Sequence, residues 1–283
     1  MSLETQSAEL PESHFVEVNG LNIHYHDVGS GPVLFMFHGS GPGASGWSNF
    51  NRNVNVLAEK FRVIVPDMPG FGKSDIIPDE SPVYSFWTKI FIDMMKVMGI
   101  PSAHFVGNSG GGMVALKMAM ECPDMVNRLI LMGPGGGVPL TTTWPTEGIK
   151  ILNSYYDEEG PTIEKLKRFV DQFLYDPSQL TDELIETRYQ ASIDPRFIDK
   201  PPMRNMTAAE LELWRDERIS KLPHEVLITW GREDRVLPLD MAFVLMKQIP
   251  KARLFVMPQC GHWIQWEHAE EFNRTVTNFL LEQ

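Results

Sequence analysis

Two cysteines, Cys122 and Cys260, are all that the 283 residues contain. That is too few for a disulfide framework, so a reducing cytoplasm is the expected setting. No apolar run approaches the roughly 18 residues that a membrane-crossing helix needs. The opening stretch, Met1 to Leu10, is polar and acidic and lacks the basic-then-apolar order of a secretory signal. Lys and Arg number 25 against 37 Asp and Glu, a formal net charge of −12, and no basic cluster marks a nucleic-acid footprint. The expected partner is therefore a small molecule, with no nucleic acid and no membrane. An anionic one would have to be held by local positive groups against the overall field. Metal-ligand spacings and dinucleotide fingerprints are also missing, so neither a metal nor a cofactor is expected. Internal repeats and low-complexity tracts are absent too.

What is present is an alternation of short apolar runs and helical periods. The pattern predicts eight strands: 15–18, 21–26, 33–37, 62–66, 103–106, 128–132, 226–230 and 252–257. Asn19-Gly20 joins the first two as a hairpin turn. Helices are predicted over 51–60, 85–98, 110–121, 239–248 and 269–281 between or after the strands, which implies a mostly parallel sheet covered on both faces. The rhythm breaks at Gly133-Pro134-Gly135-Gly136-Gly137. From there only helical or irregular signals occur, at 147–156, 162–174, 181–192 and 208–218. The expected organisation is an α/β core from 1–140 and 210–283, beginning with a loose arm over 1–13. A helical cap over 141–209 is inserted after the sixth strand, above the sheet edge where open α/β folds bind ligands.

The chemistry concentrates at Gly107-Asn108-Ser109-Gly110-Gly111, a Gly-x-Ser-x-Gly set between a predicted strand and a predicted helix. A serine there takes a strained turn that lifts its hydroxyl off the sheet, while small neighbours avoid the adjacent strand and helix. The helix amino terminus directs N–H groups toward developing negative charge. An acid and then a base should follow in the chain. Gly231-Arg232-Glu233-Asp234-Arg235-Val236-Leu237-Pro238 supplies Asp234, preferred over Glu233 by its place in the Gly-x-x-Asp pattern. Cys260-Gly261-His262-Trp263 supplies His262. Among the other histidines, His14, His24, His26, His104 and His224 lie too early or in the wrong element. His38 belongs to another loop, and His268 sits at a helix start. The catalytic set is thus Ser109, Asp234 and His262. Its oxyanion hole would pair the N–H of Gly110 with one from His38-Gly39-Ser40-Gly41-Pro42-Gly43, from Ser40 or, next to it, Gly41.

His38 to Gly43, Gly46-Trp47-Ser48-Asn49-Phe50, Asp67 to Ser74, Gly107-Asn108-Ser109, Leu131 to Gly136 and Cys260 to Trp263 together resemble the meta-cleavage product hydrolases. These are carbon–carbon bond hydrolases of bacterial aromatic degradation, and the resemblance runs over nearly the whole chain. It implies an α/β-hydrolase fold and, as activity, hydrolysis of a 2-hydroxy-6-oxohexa-2,4-dienoate to 2-hydroxypenta-2,4-dienoate and a carboxylic acid. A carboxylesterase or lactonase on the same triad is the alternative. The resemblance also implies substrate-binding roles. Arg188 would hold the dienoate carboxylate, with a surface ion pair to Asp194 or Glu186 as its other reading. Asn49 and Asn108 would bond the 2-hydroxyl end, Trp263 would wall that pocket, and Phe173 would face the C6 substituent. Trp144, Ile151, Leu174, Met203, Met206 and Trp214 are further candidates for the apolar chamber. Homodimeric or homotetrameric assembly is expected. Relatives often carry Met after the nucleophile; Gly110 here should leave extra room beside Ser109 and admit a bulky C6 aryl group.

Overall fold

The computed structural model describes residues 9–77, 82–157, 159–203 and 206–282. Residues 1–8 of the expected amino-terminal arm lie outside them. All eight predicted strands are present: β1 (His14–Val18), β2 (Leu21–Val28), β3 (Val33–Phe37), β4 (Arg62–Pro66), β5 (Ala103–Asn108), β6 (Val126–Met132), β7 (Glu225–Gly231) and β8 (Ala252–Met257). They form one sheet in the order β1-β2-β4-β3-β5-β6-β7-β8. β1 and β2 pair antiparallel, as do β2 and β4, and every later pairing is parallel. The Asn19-Gly20 turn has φ of 53° and 81°, the left-handed pair that a two-residue hairpin needs.

The sheet is buried on both sides, and β3 shows why its sequence is an unbroken apolar run. Phe35 and Phe37 pack into one layer with Phe91 and Phe105, while Leu34 and Met36 enter the other with Phe50 and Val106. Helices Val83–Val97 and Gly110–Glu121 cover the first face. Helix Ala269–Leu281 contributes Phe272 and Val276 to the second. The strand order reverses at β3, which has β4 on one side and β5 on the other. Chains leaving β3 and β5 diverge there, opening a crevice at the strand ends. Pairing of Phe37 with Gly107, Asn108 with Met132, Met132 with Thr229 and Gly231 with Met257 holds the strand ends level. Every loop that carries a candidate catalytic residue therefore starts on one edge.

Between β6 and β7 the described residues contain helices and no strand. Glu147–Asn153, Ile163–Phe173 and Asp182–Ser192 each open on a threonine, Thr146, Thr162 or Thr181, whose side chain accepts the N–H three residues on. Pro195–Asp199 and Ala208–Leu211 follow. Two helices differ from expectation. The one predicted over 51–60 is instead two short pieces, Gly46–Phe50 and Val54–Leu57. Ser45 opens the first with a capping box, and the Asn53 amide between them is drawn off to Gln265 O (3.0 Å) and Asn273 Oδ1 (2.9 Å). The helix predicted over 208–218 stops at Leu211, because the Trp214 N–H donates to Gly136 O (2.8 Å) rather than to its own preceding turn.

Candidate active site

Ser109 stands between β5 and helix Gly110–Glu121 with φ 54° and ψ −115°. A side chain rarely adopts that conformation, and here neighbours enforce it. Ser109 N–H donates to Met132 O (2.9 Å), and Ser109 O accepts from Gly135 N–H (3.3 Å). The two flanking glycines are steric necessities. A Cβ on Gly107 would lie 2.4 Å from Gly111 O, and one on Gly111 would lie 2.3 Å from Phe37 O.

Asp234 and His262 are both buried and meet at 2.6 Å, Oδ2 to Nδ1. The other oxygen of Asp234, Oδ1, accepts Val236 N–H (2.8 Å) and Leu237 N–H (2.9 Å), so the carboxylate is fixed by its own loop. With Nδ1 committed to Asp234, Nε2 is the ring nitrogen His262 has left for the serine side, and that atom is buried with no partner among the described residues. Gly133 ties the pair to the serine. Its neighbour Met132 binds Ser109 N–H, and a Cβ on Gly133 would lie 3.3 Å from the His262 ring and 3.4 Å from Asp234 Oδ2.

The loop after β3 lies against the serine. A Cβ on Gly39 would lie 3.3 Å from Ser109 Cβ. His38, set aside by sequence order, governs this loop. Met68 N–H donates to its Nε2 (2.9 Å), so Nδ1 carries the proton and donates to Gly39 O (2.7 Å). Burial holds its pKa below the ordinary value and keeps the ring neutral. In a trans peptide the next N–H points opposite the carbonyl. Fixing Gly39 O therefore turns the Ser40 N–H the other way.

Arg188, on helix Asp182–Ser192, is 1 % exposed. Neither proposed surface partner touches it: Asp194 pairs with Arg196 and Glu186 with Gln190. Its Nη2 donates to Pro42 O (2.7 Å) and its guanidinium lies 5.0 Å from the Trp263 ring centroid, while Nε and Nη1 have no partner among the described residues. Burial pushes its pKa down to about 10. Asn49 Nδ2 and Asn108 Oδ1 are also buried with no partner among the described residues, and Ser40 Oγ lies beside the Tyr84 hydroxyl. Asn108 Nδ2 reaches Met132 O at 3.4 Å, and Asn49 O accepts from Gln265 Nε2. Phe173 is buried at the end of helix Ile163–Phe173, 5.1 Å from the His262 ring and 4.9 Å from Trp263. Buried polar groups are normally paired. Arg188 Nε and Nη1 and Asn49 Nδ2 are donors with no acceptor among the described residues.

The expected extra room beside Ser109 is not there. A Cβ on Gly110 would meet Ser40 Oγ at 2.2 Å and the Tyr84 ring and hydroxyl at 3.3 and 3.4 Å. Ser40 and Tyr84 fill the space, which removes the reason for expecting a bulkier aryl group. Tyr84 carries no sequence signal beyond a helix start; only the fold brings it here. Of the chamber candidates, Trp144 is 47 % exposed and does not line it, whereas Leu174 is fully buried. Ile151, Met203, Met206 and Trp214 pack half-buried on the main core. No group of His, Cys, Asp and Glu among the described residues could hold a metal.

Residues 32–269 match the family model described as alpha/beta hydrolase fold. A 2-hydroxy-6-oxo-6-phenylhexa-2,4-dienoate hydrolase of Burkholderia cepacia is 42% identical over 286 residues, covering 98% of this chain and 99% of the relative. A 2-hydroxy-6-oxononadienedioate/2-hydroxy-6-oxononatrienedioate hydrolase of Comamonas testosteroni is 43% identical, covering 96% and 97%. Among solved structures, a meta-cleavage product hydrolase from Pseudomonas fluorescens, a serine-to-alanine mutant complexed with acetates, superposes with TM-score 0.85. It is 37% identical, with 94% of this chain and 97% of that one covered.

Proposed function

Since this chain belongs to the α/β-hydrolase family, among its meta-cleavage product hydrolases, we propose that Ser109, Asp234 and His262 hydrolyse the C5–C6 bond of a 2-hydroxy-6-oxohexa-2,4-dienoate bearing an aryl or alkyl group at C6. The products are 2-hydroxypenta-2,4-dienoate and a carboxylic acid such as benzoate. The carrying observation is Arg188: a buried guanidinium with two donor nitrogens unpartnered and no paired carboxylate among the described residues. An isolated buried charge is costly unless a ligand completes it, and the dienoate carboxylate does so bidentately. A plain esterase has no use for it.

Each remaining group has a task in that reaction. Carbon is a poor leaving group, so the dienol first becomes a ketone with a proton added at C5. Arg188, Asn49 and Asn108 hold the charged 2-hydroxy end through this change, with Trp263 against the guanidinium. His262 Nε2 takes the proton from Ser109 or from the attacking water, and Asp234 stabilises the imidazolium that results. Addition at C6 puts negative charge on its oxygen, which the N–H groups of Ser40 and Gly110 receive at the helix amino terminus, with Gly41 beside them. Cleavage then releases a dienolate rather than a bare carbanion. Phe173, its ring tilted against that of His262, walls the C6 side, and the helical insertion 141–209 caps the cleft. No step asks for a metal or cofactor. The two free cysteines fit a reducing cytoplasm; sedimentation would decide between a homodimer and a homotetramer. Mixing Ser109→Ala with the yellow 6-phenyl dienoate tests the reading. A trapped chromophore without turnover is expected; unimpaired hydrolysis would remove Ser109 from the mechanism.

A further inference from the structure

We propose that Glu267 and Arg235 are positioning residues for the catalytic acid and base, joining the end of the inserted helix Ile163–Phe173 to the loops that carry Asp234 and His262. Glu267 ends the short helix Ile264–Glu267. Its Oε1 accepts Gly261 N–H at 2.7 Å, and its Oε2 accepts Tyr175 N–H at 2.6 Å. Gly261 immediately precedes the catalytic histidine, and Tyr175 lies just beyond Phe173. A carboxylate has lone pairs enough to hold both loops at once. Cys260 Sγ stands 3.7 Å from the same Oε1.

The two segments are in direct backbone contact as well. His262 N–H donates to Phe173 O at 2.5 Å. A Cβ on Gly261 would lie 2.2 Å from Phe173 O and 2.9 Å from Leu174 C, so only glycine permits the approach. On the acid's side, Arg235 Nη2 donates to Asp171 O (2.5 Å) and Leu174 O (2.6 Å). The four residues from Asp171 to Leu174 and their neighbour Tyr175 are thus fastened to both catalytic loops, and the Phe173 ring presses on the imidazole besides. Burial pushes the Glu267 carboxyl above its ordinary pKa, against its backbone N–H partners. A half-buried carboxylate held by N–H groups contributes little as a surface charge; its worth is in the geometry it imposes. Moving this junction moves His262 relative to Ser109, and a displacement near 1 Å costs on the order of 100-fold in rate.

This inference rests on His262 as the base and not on which dienoate is cleaved. Glu267→Gln keeps the shape but turns one acceptor into an NH₂ group facing an N–H. We expect kcat to fall on the order of tenfold, with KM little changed, for both the 6-phenyl dienoate and p-nitrophenyl acetate, a small ester that needs neither Arg188 nor the C6 wall. Glu270→Gln, an exposed change on the next helix, serves as the control. A fall confined to the dienoate would place the effect in substrate binding and overturn the proposal. Lowered melting temperature with both kcat values intact would reduce the junction to a structural role and overturn it equally. Should Glu267→Gln not fold, Arg235→Met removes the other tie and must slow both substrates; no change in either sinks the idea. If the wild-type protein cleaves the ester but no dienoate, the functional reading fails while the ester series still decides this one.

Discussion

Replacing Arg188 by glutamine should move activity and stability in opposite directions. In the unliganded fold the guanidinium is buried with Nε and Nη1 unpartnered. Burial lowers its pKa from 12.5 to about 10, a penalty on the order of 3 kcal/mol. The sign follows from the direction. The group is protonated in folded and unfolded chains alike at neutral pH, so the penalty is present in full there and is relieved only as pH rises above 10. Glutamine removes that penalty and loses about 1 kcal/mol with the bond to Pro42 O, plus packing on Trp263. The unliganded variant is therefore expected to melt at the wild-type temperature or above it. For the dienoate the balance reverses. Removing one member of a buried, hydrogen-bonded charge pair costs about 2 to 5 kcal/mol, which is roughly 30- to 5,000-fold in kcat/KM. Hydrolysis of p-nitrophenyl acetate should hardly change. Steady-state kinetics on both substrates and thermal melts of both proteins make the comparison. A loss of dienoate kcat/KM below about threefold, or a clear drop in the variant's melting temperature, would show that Arg188 serves the fold and not the ligand.

Other outcomes follow from the same geometry. In Asp234→Asn the oxygen stays with Val236 and Leu237 N–H, so NH₂ faces His262 Nδ1 and forces the tautomer that cannot accept a proton from serine; kcat should fall by ~10³ to 10⁴, measured on either substrate. Gly110→Ala should lower kcat/KM in the wild type but far less in Ser40→Gly, because its Cβ competes with Ser40 Oγ. A double-mutant cycle with coupling under about 0.5 kcal/mol would refute that competition. His104, whose pKa burial lowers to about 4, is neutral in the fold and gains a proton on unfolding. Its contribution is intact above the unfolded value of 6.5 and is lost as pH falls toward 4. Urea midpoints should drop over that range, and the drop should be shallower in His104→Gln.

The parts of this protein legible in its sequence are those set by local chemistry. β3 reads as a buried strand because both its faces are apolar. The helices expected from 147, 162 and 181 form there, and in the structure a threonine at 146, 162 and 181 caps each from its own chain. Ser109, Asp234 and His262 are legible because turn glycines and strand ends recur beside each. What was hidden depends on contacts between distant segments. Gly110 gives no warning that Ser40 and Tyr84 occupy the space its side chain would take. His38 looks like a bystander until Met68 N–H fixes its tautomer. Asn53 sits in a helical period and still breaks it, drawn to residues more than two hundred positions away.

The unpartnered atoms explain why the site's neighbourhood is so rigidly built. His262 Nε2, Asn49 Nδ2 and two nitrogens of Arg188 have no hydrogen-bond partner among the described residues, and leaving such a group unpaired would cost roughly 1 to 3 kcal/mol. A flexible surround would rotate them into pairs with one another or with backbone. What opposes this is that neighbouring atoms of three of these residues are engaged. Asp234 holds the far side of the imidazole, Pro42 holds one guanidinium nitrogen, and Gln265 ties the Asn49 backbone. Gly110, lacking a side chain, lets Ser40 Oγ stay where it is. Binding would then cost little reorganisation, because these groups are held in place before a ligand arrives. On this account the residues that most affect catalysis without touching substrate are those that hold these groups in place, and Glu267 and Arg235, which fasten the loops of His262 and Asp234, belong with them.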